Sequence, residues 1–204
     1  YDLSTETDAE LAVQAITSRD LTVASVEARP ANRNHSAPFM TSTLQQEAGR
    51  KLRYSSQRTM QVAQRLYESG YITYMRTDST TLSEGAVAAA RAEVLDRYGS
   101  AYVPKAPRIY RSKVKNAQEA HEAIRPTDAR IHPSEAGGYL GPDEAELYEL
   151  IWLRFVASQM APAILDQTSV DIGAGPAVGE KPYLFRATGS VIKFPGFLKV
   201  YEEG

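Results

Sequence analysis

The centre of the chain, residues 56–77, reads SQRTMQVAQRLYESGYITYMRT. Ser56 can cap the start of a helix, and Gly70 suits the position just after the last turn of that helix. The apolar side chains between them recur at helical spacing, at Met60, Ala63, Leu66 and Tyr67. Tyr71–Thr77 is rich in aromatic and β-branched residues, which favours a strand. This stretch therefore predicts a helix followed directly by a strand.

A further helix is predicted immediately upstream. Ser42 and Gln45 have the spacing of a capping box, and apolar residues follow at intervals of four, at Leu44, Ala48 and Leu52. The order helix, short turn, helix and strand is that of a winged helix-turn-helix, although many unrelated domains share this order.

Farther out, helical pattern gives way to β pattern at both ends of the chain. Helices are predicted over 83–98 and 142–160, with one or two helical turns over 118–125 and a surface loop with an exposed His132 over 127–141. Strands are predicted at Leu21–Arg29, ended by Pro30, and at 168–172, 184–188 and 191–194.

These elements predict an α+β protein with two domains. A mainly helical, winged-helix-like domain at residues 34–161 is inserted into a β-rich domain built from residues 1–33 and 162–204. The chain begins without an initiator Met, so we expect it to be a piece of a larger protein.

The composition excludes several classes of protein. There is no cysteine, which rules out disulfide scaffolds, thiol catalysis and cysteine-ligated zinc. No apolar run approaches the roughly 20 residues that span a bilayer, so no membrane partner is expected. A phosphate-cradling G-x-x-x-x-G-K loop is absent, as is an Asp-x-Asp cluster with the spacing of a magnesium site. Neither nucleotide hydrolysis nor a metal site within this chain is predicted.

Charge is distributed unevenly although the net charge is only −2. Residues 50–76 carry six bases against one acid, and residues 105–115 carry five bases and no acid. Such runs are often no more than solvated faces. Two basic tracts that flank an aromatic-rich segment also fit a surface that contacts nucleic-acid phosphates.

Tyr74 is the first candidate for chemistry. Residues two apart on a strand share a face, so Tyr74, Arg76 and Asp78 would project together. A free phenol has a pKa of about 10, so a tyrosine nucleophile needs positive potential or a base. Arg76 can supply the potential and bind a phosphoryl oxygen. The alternative is that Tyr74 is one of twelve tyrosines and packs against its neighbours.

His121 is the second candidate. If its segment is helical, His121 and Arg125 lie on one face at i, i+4, where both could bind a DNA phosphate. The alternative is a surface histidine paired with a nearby glutamate.

Three segments together resemble a known family. Gln64–Glu68 with Ile72–Asp78 resembles the active-site sequence of type IA DNA topoisomerases. Pro38–Gln46 and Ala120–Pro126 resemble two further motifs of that family, in the family's order. The sequence of Thr41–Gln46 resembles that of bacterial topoisomerase I more closely than that of topoisomerase III.

The resemblance implies roles for particular residues. Tyr74 would be the nucleophile, Arg76 would orient the scissile phosphate, and His121 would match a histidine that contacts a DNA phosphate. Further DNA contacts are expected from Arg125, Thr41, Ser42, Gln45, Arg65 and Asp78.

The resemblance also implies a setting for the whole enzyme. A transient 5′-phosphotyrosine link would let another DNA strand pass, relaxing negatively supercoiled DNA without ATP. The β-rich domain would be part of an arch, and the helical domain would swing on its two connections, near 32–37 and 159–163, to open a gate for DNA. Mg²⁺, a glutamate and a lysine would come from an acidic Toprim domain outside these residues. We therefore expect the isolated chain to be nearly inactive.

The remaining expectations concern partners and place. Single-stranded DNA at the cleavage site, supercoiled duplex and the other domains of the same polypeptide are the expected partners of a cytoplasmic, nucleoid-associated monomer. The rival interpretation is a non-catalytic winged-helix DNA-binding module with residues 56–69 as recognition helix, and a purely structural domain is a second rival.

Overall fold

The structure, a computed structural model, describes residues 4–110, 122–175 and 183–202. The chain packs as two compact units. The sheet unit consists of Tyr1–Arg33 and Ile164–Phe194, and the helical unit consists of Asn34–Ala163 and Pro195–Gly204. Helices and an antiparallel strand pair fall largely into separate units, which confirms the α+β class.

The sheet unit contains one helix and three strands among its described residues. They are α1 (Glu6–Thr17), β1 (Leu21–Arg33), β2 (Ala163–Ala174, whose first residue belongs to the helical unit) and β3 (Tyr183–Phe194). The strand order is β1-β2-β3, and β2 pairs antiparallel with β3. β1 continues past Pro30, where the sequence predicted its end, because an edge strand tolerates a residue without an N–H.

Polar side chains cross the three strands of the sheet. The Ser25 hydroxyl donates to Asp171 Oδ2 at 3.3 Å, and Arg186 Nε donates to Asp171 Oδ1 at 2.6 Å. Large apolar side chains are exposed as well, including Val23 on β1 and Val191 on β3. Backbone pairing, more than side-chain burial, therefore defines this unit.

The helical unit is built around one long helix. Among its described residues, the helices are α2 (Thr41–Leu52), α3 (Ser56–Glu68), α4 (Glu84–Tyr98), α5 (Pro133–Ala136) and α6 (Pro142–Ser158). α6 packs against each of the other four and buries Trp152 and Phe155 completely or nearly so. Trp152 Nε1 donates to the Ala129 carbonyl at 2.8 Å, so the indole is buried with its polar group satisfied.

The predicted helices over 83–98 and 142–160 are confirmed, and those around α2 and α3 differ only in their caps. Ser55, not Ser56, caps α3, because its side chain accepts from the Arg58 N–H. α2 begins after Met40, not at Ser42, and Thr43 bonds the Met40 backbone. Gly70 has φ +79°, as expected for the residue beyond the end of α3.

The strand predicted over Tyr71–Thr77 is wrong. Ile72 forms an isolated bridge with Pro126, and a ladder cannot continue through a residue without an N–H. Side-chain hydroxyls bond backbone groups of this stretch instead, as described below. The described residues therefore do not complete the strand of a winged helix.

The helical turns predicted over 118–125 are also wrong where they can be seen. Residues 118–121 lie outside the described residues, whereas Ile124 is extended and bridges Phe39. Pro126 disfavours helical geometry at Arg125, and Ile124 gains a buried site by extending. The i, i+4 argument for Arg125 therefore does not apply.

Two smaller expectations change as well. The loop over 127–141 contains α5, and His132 is half-buried with its ring centroid 4.8 Å from that of Trp152. Residues 195–202, expected in the β-rich domain, pack in the helical unit because Phe197 and Tyr201 are buried there. Gly196, at φ +50°, leads into this segment, and the next N–H, of Phe197, donates to the Ala161 carbonyl at 3.0 Å.

Candidate active site

The three segments that carry the family resemblance meet in the helical unit. Phe39 bridges Ile124, with the Ile124 N–H donating to the Phe39 carbonyl at 2.8 Å. Thr73 N–H donates to the Arg125 carbonyl at 2.9 Å, beside the bridge between Ile72 and Pro126. Segments that are far apart in sequence thus form one irregular cluster of extended backbone.

Side chains after Thr73 alternate in exposure although no ladder forms. Tyr74, Arg76 and Asp78 are exposed, whereas the residues between and after them, Met75, Thr77 and Ser79, are buried. The spacing of the sequence predicted this shared side, and the exposure pattern agrees with it. The buried set anchors the segment and presents the phenol, guanidinium and carboxylate to solvent.

Thr41, the first residue of α2, holds residues 75–77 in place through hydrogen bonds. Its hydroxyl donates to the Met75 carbonyl at 2.7 Å and accepts from the Thr77 N–H at 2.9 Å. Its own N–H donates to the Thr77 carbonyl at 2.9 Å. Thr41 therefore supplies the hydrogen bonds that a neighbouring strand would otherwise make to the backbone of residues 75–77.

A pocket of about 520 Å³ lies where α2 begins. Met40 and Thr77 line it. So do five of the predicted site residues, Thr41, Ser42, Gln45, Arg76 and Asp78. A helix N-terminus and a guanidinium both favour a bound anion. Hydroxyl and amide groups add hydrogen-bond partners, so the pocket is suited to a phosphate ester.

Tyr74 stands beside a second tyrosine that sequence reasoning assigned to the core. Tyr67 is 42% exposed and Tyr74 is 44% exposed. Their ring centroids are 5.2 Å apart and their planes are inclined at 65°. The buried stripe of α3 is centred on Thr59, Val62, Ala63 and Leu66, which puts Tyr67 at its edge. On a helical wheel, Tyr67 lies about 90° from the mean direction of those four residues, so their pattern could have placed it at the edge.

Two further predicted contacts, Arg65 and Arg125, do not line this pocket. Arg65 pairs with Glu144 and lines a different pocket with it. The Arg125 guanidinium pairs with Glu122, and 15% of the Arg125 side chain is exposed. His121 lies outside the described residues.

No metal donor set was found in the described ranges. Among residues 4–110, 122–175 and 183–202, no group of three or more His, Asp or Glu side chains could hold a metal ion. These residues thus offer no site that fits the Mg²⁺ implied by the resemblance. In the same part of the chain, no helix is both long and apolar enough to cross a membrane.

Comparison with known proteins identifies the family. A family model described as DNA topoisomerase matches residues 1–204. DNA topoisomerase 1 of Mycolicibacterium smegmatis is 60% identical over 184 residues, which are 90% of this chain and 20% of that protein. DNA topoisomerase 1 of Streptomyces coelicolor is 54% identical over 200 residues, covering 98% of this chain and 21% of the relative.

A solved structure agrees with these relatives. Full-length topoisomerase I from Thermotoga maritima matches with a TM-score of 0.78 at 38% identity, over 96% of this chain and 32% of that one. The chain spans about a fifth of the length of the curated relatives that it matches. Because the family model covers every residue, the chain belongs to the bacterial type IA DNA topoisomerase family.

Proposed function

We propose that this chain supplies the nucleophile, Tyr74, to a type IA topoisomerase that relaxes negatively supercoiled DNA. The observation that carries the proposal is the exposed phenol of Tyr74 on the same side of an extended segment as Arg76, which lines the pocket at the start of α2. The family membership of the chain supports the reaction class.

The chemistry is a transesterification within one DNA strand. The Tyr74 oxygen, having lost its proton, attacks phosphorus, and the bond from phosphorus to the 3′ oxygen breaks. That oxygen takes up a proton and leaves as a 3′-hydroxyl, while the phosphate stays on the 5′ side as a phosphotyrosine. Arg76 donates to the non-bridging oxygens as their charge grows. Reversal reseals the strand, and no ATP is needed because the ester retains the bond energy.

The neighbouring residues fit supporting roles. Thr41, Ser42, Gln45 and Asp78 line the pocket with Arg76 and would hold the strand around the scissile phosphate. Arg65, which lines a different pocket, and His121 remain proposed DNA contacts, with single-stranded DNA as the direct partner. Binding dominated by phosphate contacts should weaken steeply as salt increases.

The rest of the machinery belongs to the parent protein. Mg²⁺, when bound by an acidic domain outside this chain, would stabilise charge on the reacting phosphate. We therefore propose that the isolated chain neither cleaves DNA efficiently nor relaxes it. In the parent, a cytoplasmic, nucleoid-associated monomer, the helical unit is an insertion in a β-rich arch, and an opening of that arch admits the passing strand.

The test uses the complete parent enzyme with Mg²⁺ and a single-stranded oligonucleotide radiolabelled within its chain. Wild type and Tyr74→Phe are compared on a denaturing gel, and any adduct is digested to find the attached peptide. Tyr139→Phe is the matched control, because Tyr139 is 82% exposed and does not line the Arg76 pocket.

We expect a shifted band in wild type and in Tyr139→Phe that is absent in Tyr74→Phe, with phosphate on Tyr74 at a DNA 5′ end. A band that persists in Tyr74→Phe would remove the nucleophile assignment. Absence of a band in every form, with DNA binding intact, would favour a non-catalytic DNA-binding module.

A further inference from the structure

Arg125 faces the protein and not the solvent. Its Nη2 donates to Glu122 Oε2 at 2.6 Å and its Nη1 donates to the Pro126 carbonyl at 2.8 Å. Both terminal nitrogens of the guanidinium therefore serve the segment on which Arg125 itself lies. The Nε atom of Arg125 is buried and has no hydrogen-bond partner among the described residues. A phosphate that displaced Glu122 from Nη2 would leave the half-buried carboxylate without its cation, which is costly.

Glu122 connects this segment to the start of α4. Its Oε1 accepts from the N–H of Ser83, the residue that caps α4, at 2.7 Å. Burial alone would raise the pKa of Glu122, but the hydrogen bonds from Arg125 and Ser83 outweigh that effect and lower it. Glu122 is therefore ionised at neutral pH, and its pairing with Arg125 is an ion pair.

The backbone of the same segment holds the residue before the proposed nucleophile. The Arg125 N–H donates to Thr73 Oγ1 at 3.0 Å, and the Thr73 hydroxyl donates to the Ala123 carbonyl at 2.7 Å. With the bond from Thr73 N–H to the Arg125 carbonyl, Thr73 is bonded to residues 123–125 through both its backbone and its side chain. The next residue along the chain is Tyr74.

We propose that Glu122 and Arg125 are positioning residues for DNA cleavage. Their ion pair fixes the path of residues 122–126, those residues fix Thr73, and Thr73 sets where the Tyr74 phenol stands. The inference rests on the proposed role of Tyr74, and it replaces the phosphate contact that the sequence predicted for Arg125. A nucleophile displaced by about 1 Å can lose about 100-fold in rate, so a distant ion pair can matter to the reaction.

The experiment separates DNA binding from the cleavage step in the complete parent enzyme with Mg²⁺. Arg125→Gln and Glu122→Gln are compared with wild type for the affinity for a single-stranded oligonucleotide over a range of salt, and for the single-turnover rate of adduct formation. Arg130→Gln is the matched control, because Arg130 carries the same charge, pairs with Asp128 and is 82% exposed.

If the pair positions Tyr74, both variants form adduct about 10- to 100-fold more slowly than the control, with unchanged affinity and salt dependence. The double variant is then no slower than the slower single variant, because either change breaks the same connection. Thermal unfolding identifies a variant that fails to fold, and the other variant then carries the test.

The opposite pattern would overturn the inference. If Arg125 binds phosphate, Arg125→Gln weakens binding and lowers the salt slope by about 1, whereas Glu122→Gln releases the guanidinium and tightens binding. Unchanged cleavage rates in both variants would also overturn it. Tyr74→Phe is measured in parallel. If an adduct still forms in Tyr74→Phe, the assignment of Tyr74 as the nucleophile fails. If no adduct forms in Tyr74→Phe but both Gln variants cleave at the normal rate, only the positioning role of the ion pair fails.

Discussion

Two extended stretches of this molecule are held in opposite ways. β3 lies in a regular antiparallel ladder with β2, and its side chains from Leu184 to Lys193 are exposed. Residues 74–79 form no ladder, and yet their side chains alternate strictly between exposed and buried. In β3 the backbone hydrogen bonds are made to the backbone of β2, so the exposed side chains contribute little to holding the strand in place. In residues 74–79 the backbone depends on the side chain of Thr41, so residue identity is structural.

The largest effect should come from removing the buried ring where the segments meet. Phe39 is fully buried, and its backbone bridges Ile124. Phe39→Ala should lower the free energy of unfolding of the 204-residue chain by about 3–5 kcal/mol, through lost burial and the cavity left behind. Denaturant unfolding followed by far-UV circular dichroism measures this change.

The matched change in the sheet is Val191→Ala, at a side chain 65% exposed. It should alter stability by no more than about 0.5 kcal/mol. Equal losses for Phe39→Ala and Val191→Ala would mean that both stretches depend on packing, and the contrast would fail.

A smaller effect isolates hydrogen bonding from packing. Thr41→Val keeps the shape of the side chain but removes the hydroxyl that bonds Met75 and Thr77. Leaving those backbone groups without partners should cost about 1–3 kcal/mol.

The same substitution in β3, Thr188→Val, touches an exposed side chain whose backbone is already paired with Ser169. It should change stability by no more than about 0.5 kcal/mol. Chemical denaturation of both variants gives the comparison, which is contradicted if Thr188→Val is the more damaging of the two.

The smallest effect should appear as a pH dependence that comes from His132 in the helical unit. Burial lowers the pKa of His132, and the nearby Arg97 charge lowers it further. The neutral ring is therefore favoured in the folded chain. Its contribution to stability is complete above the unfolded pKa of about 6.5 and is lost as pH falls through the lowered folded value.

Fluorescence of Trp152, the single tryptophan, follows this effect because its ring contacts His132. Unfolding midpoints measured from pH 8 to pH 5 should decline more in wild type than in His132→Gln. Equal declines in the two proteins would mean that His132 is not the source of the pH dependence.

Local pattern predicted most of the regular structure. α3 and α6 carry apolar residues at helical spacing, and β2 and β3 carry β-branched runs between turn residues. Each of these elements can therefore be predicted from its own residues alone. The shared side of Tyr74, Arg76 and Asp78 was also readable, because side-chain alternation depends only on extended backbone.

Contacts between distant segments were not readable in this way. Thr41 bonds residues 34 and 36 positions away, and Thr73 bonds residues about 50 positions away. Neither contact gives a periodic pattern in the sequence, so the β-rich composition of residues 71–77 predicts a strand that the fold does not form. The pairing of Arg125 with Glu122 was not readable either, because the two charges are visible in the sequence but their contact is identified only by the fold.

Gly196 sets a limit on how this protein can vary. A Cβ atom at that position would lie 2.3 Å from the Pro162 carbonyl oxygen and 2.5 Å from that of Ala161. Both neighbours are backbone, so no change of rotamer could make room. In a saturation library, all nineteen replacements at position 196, alanine included, should therefore be depleted together. Uniform depletion of all replacements would show that this position is selected for the absence of a side chain and not for any chemical property of one.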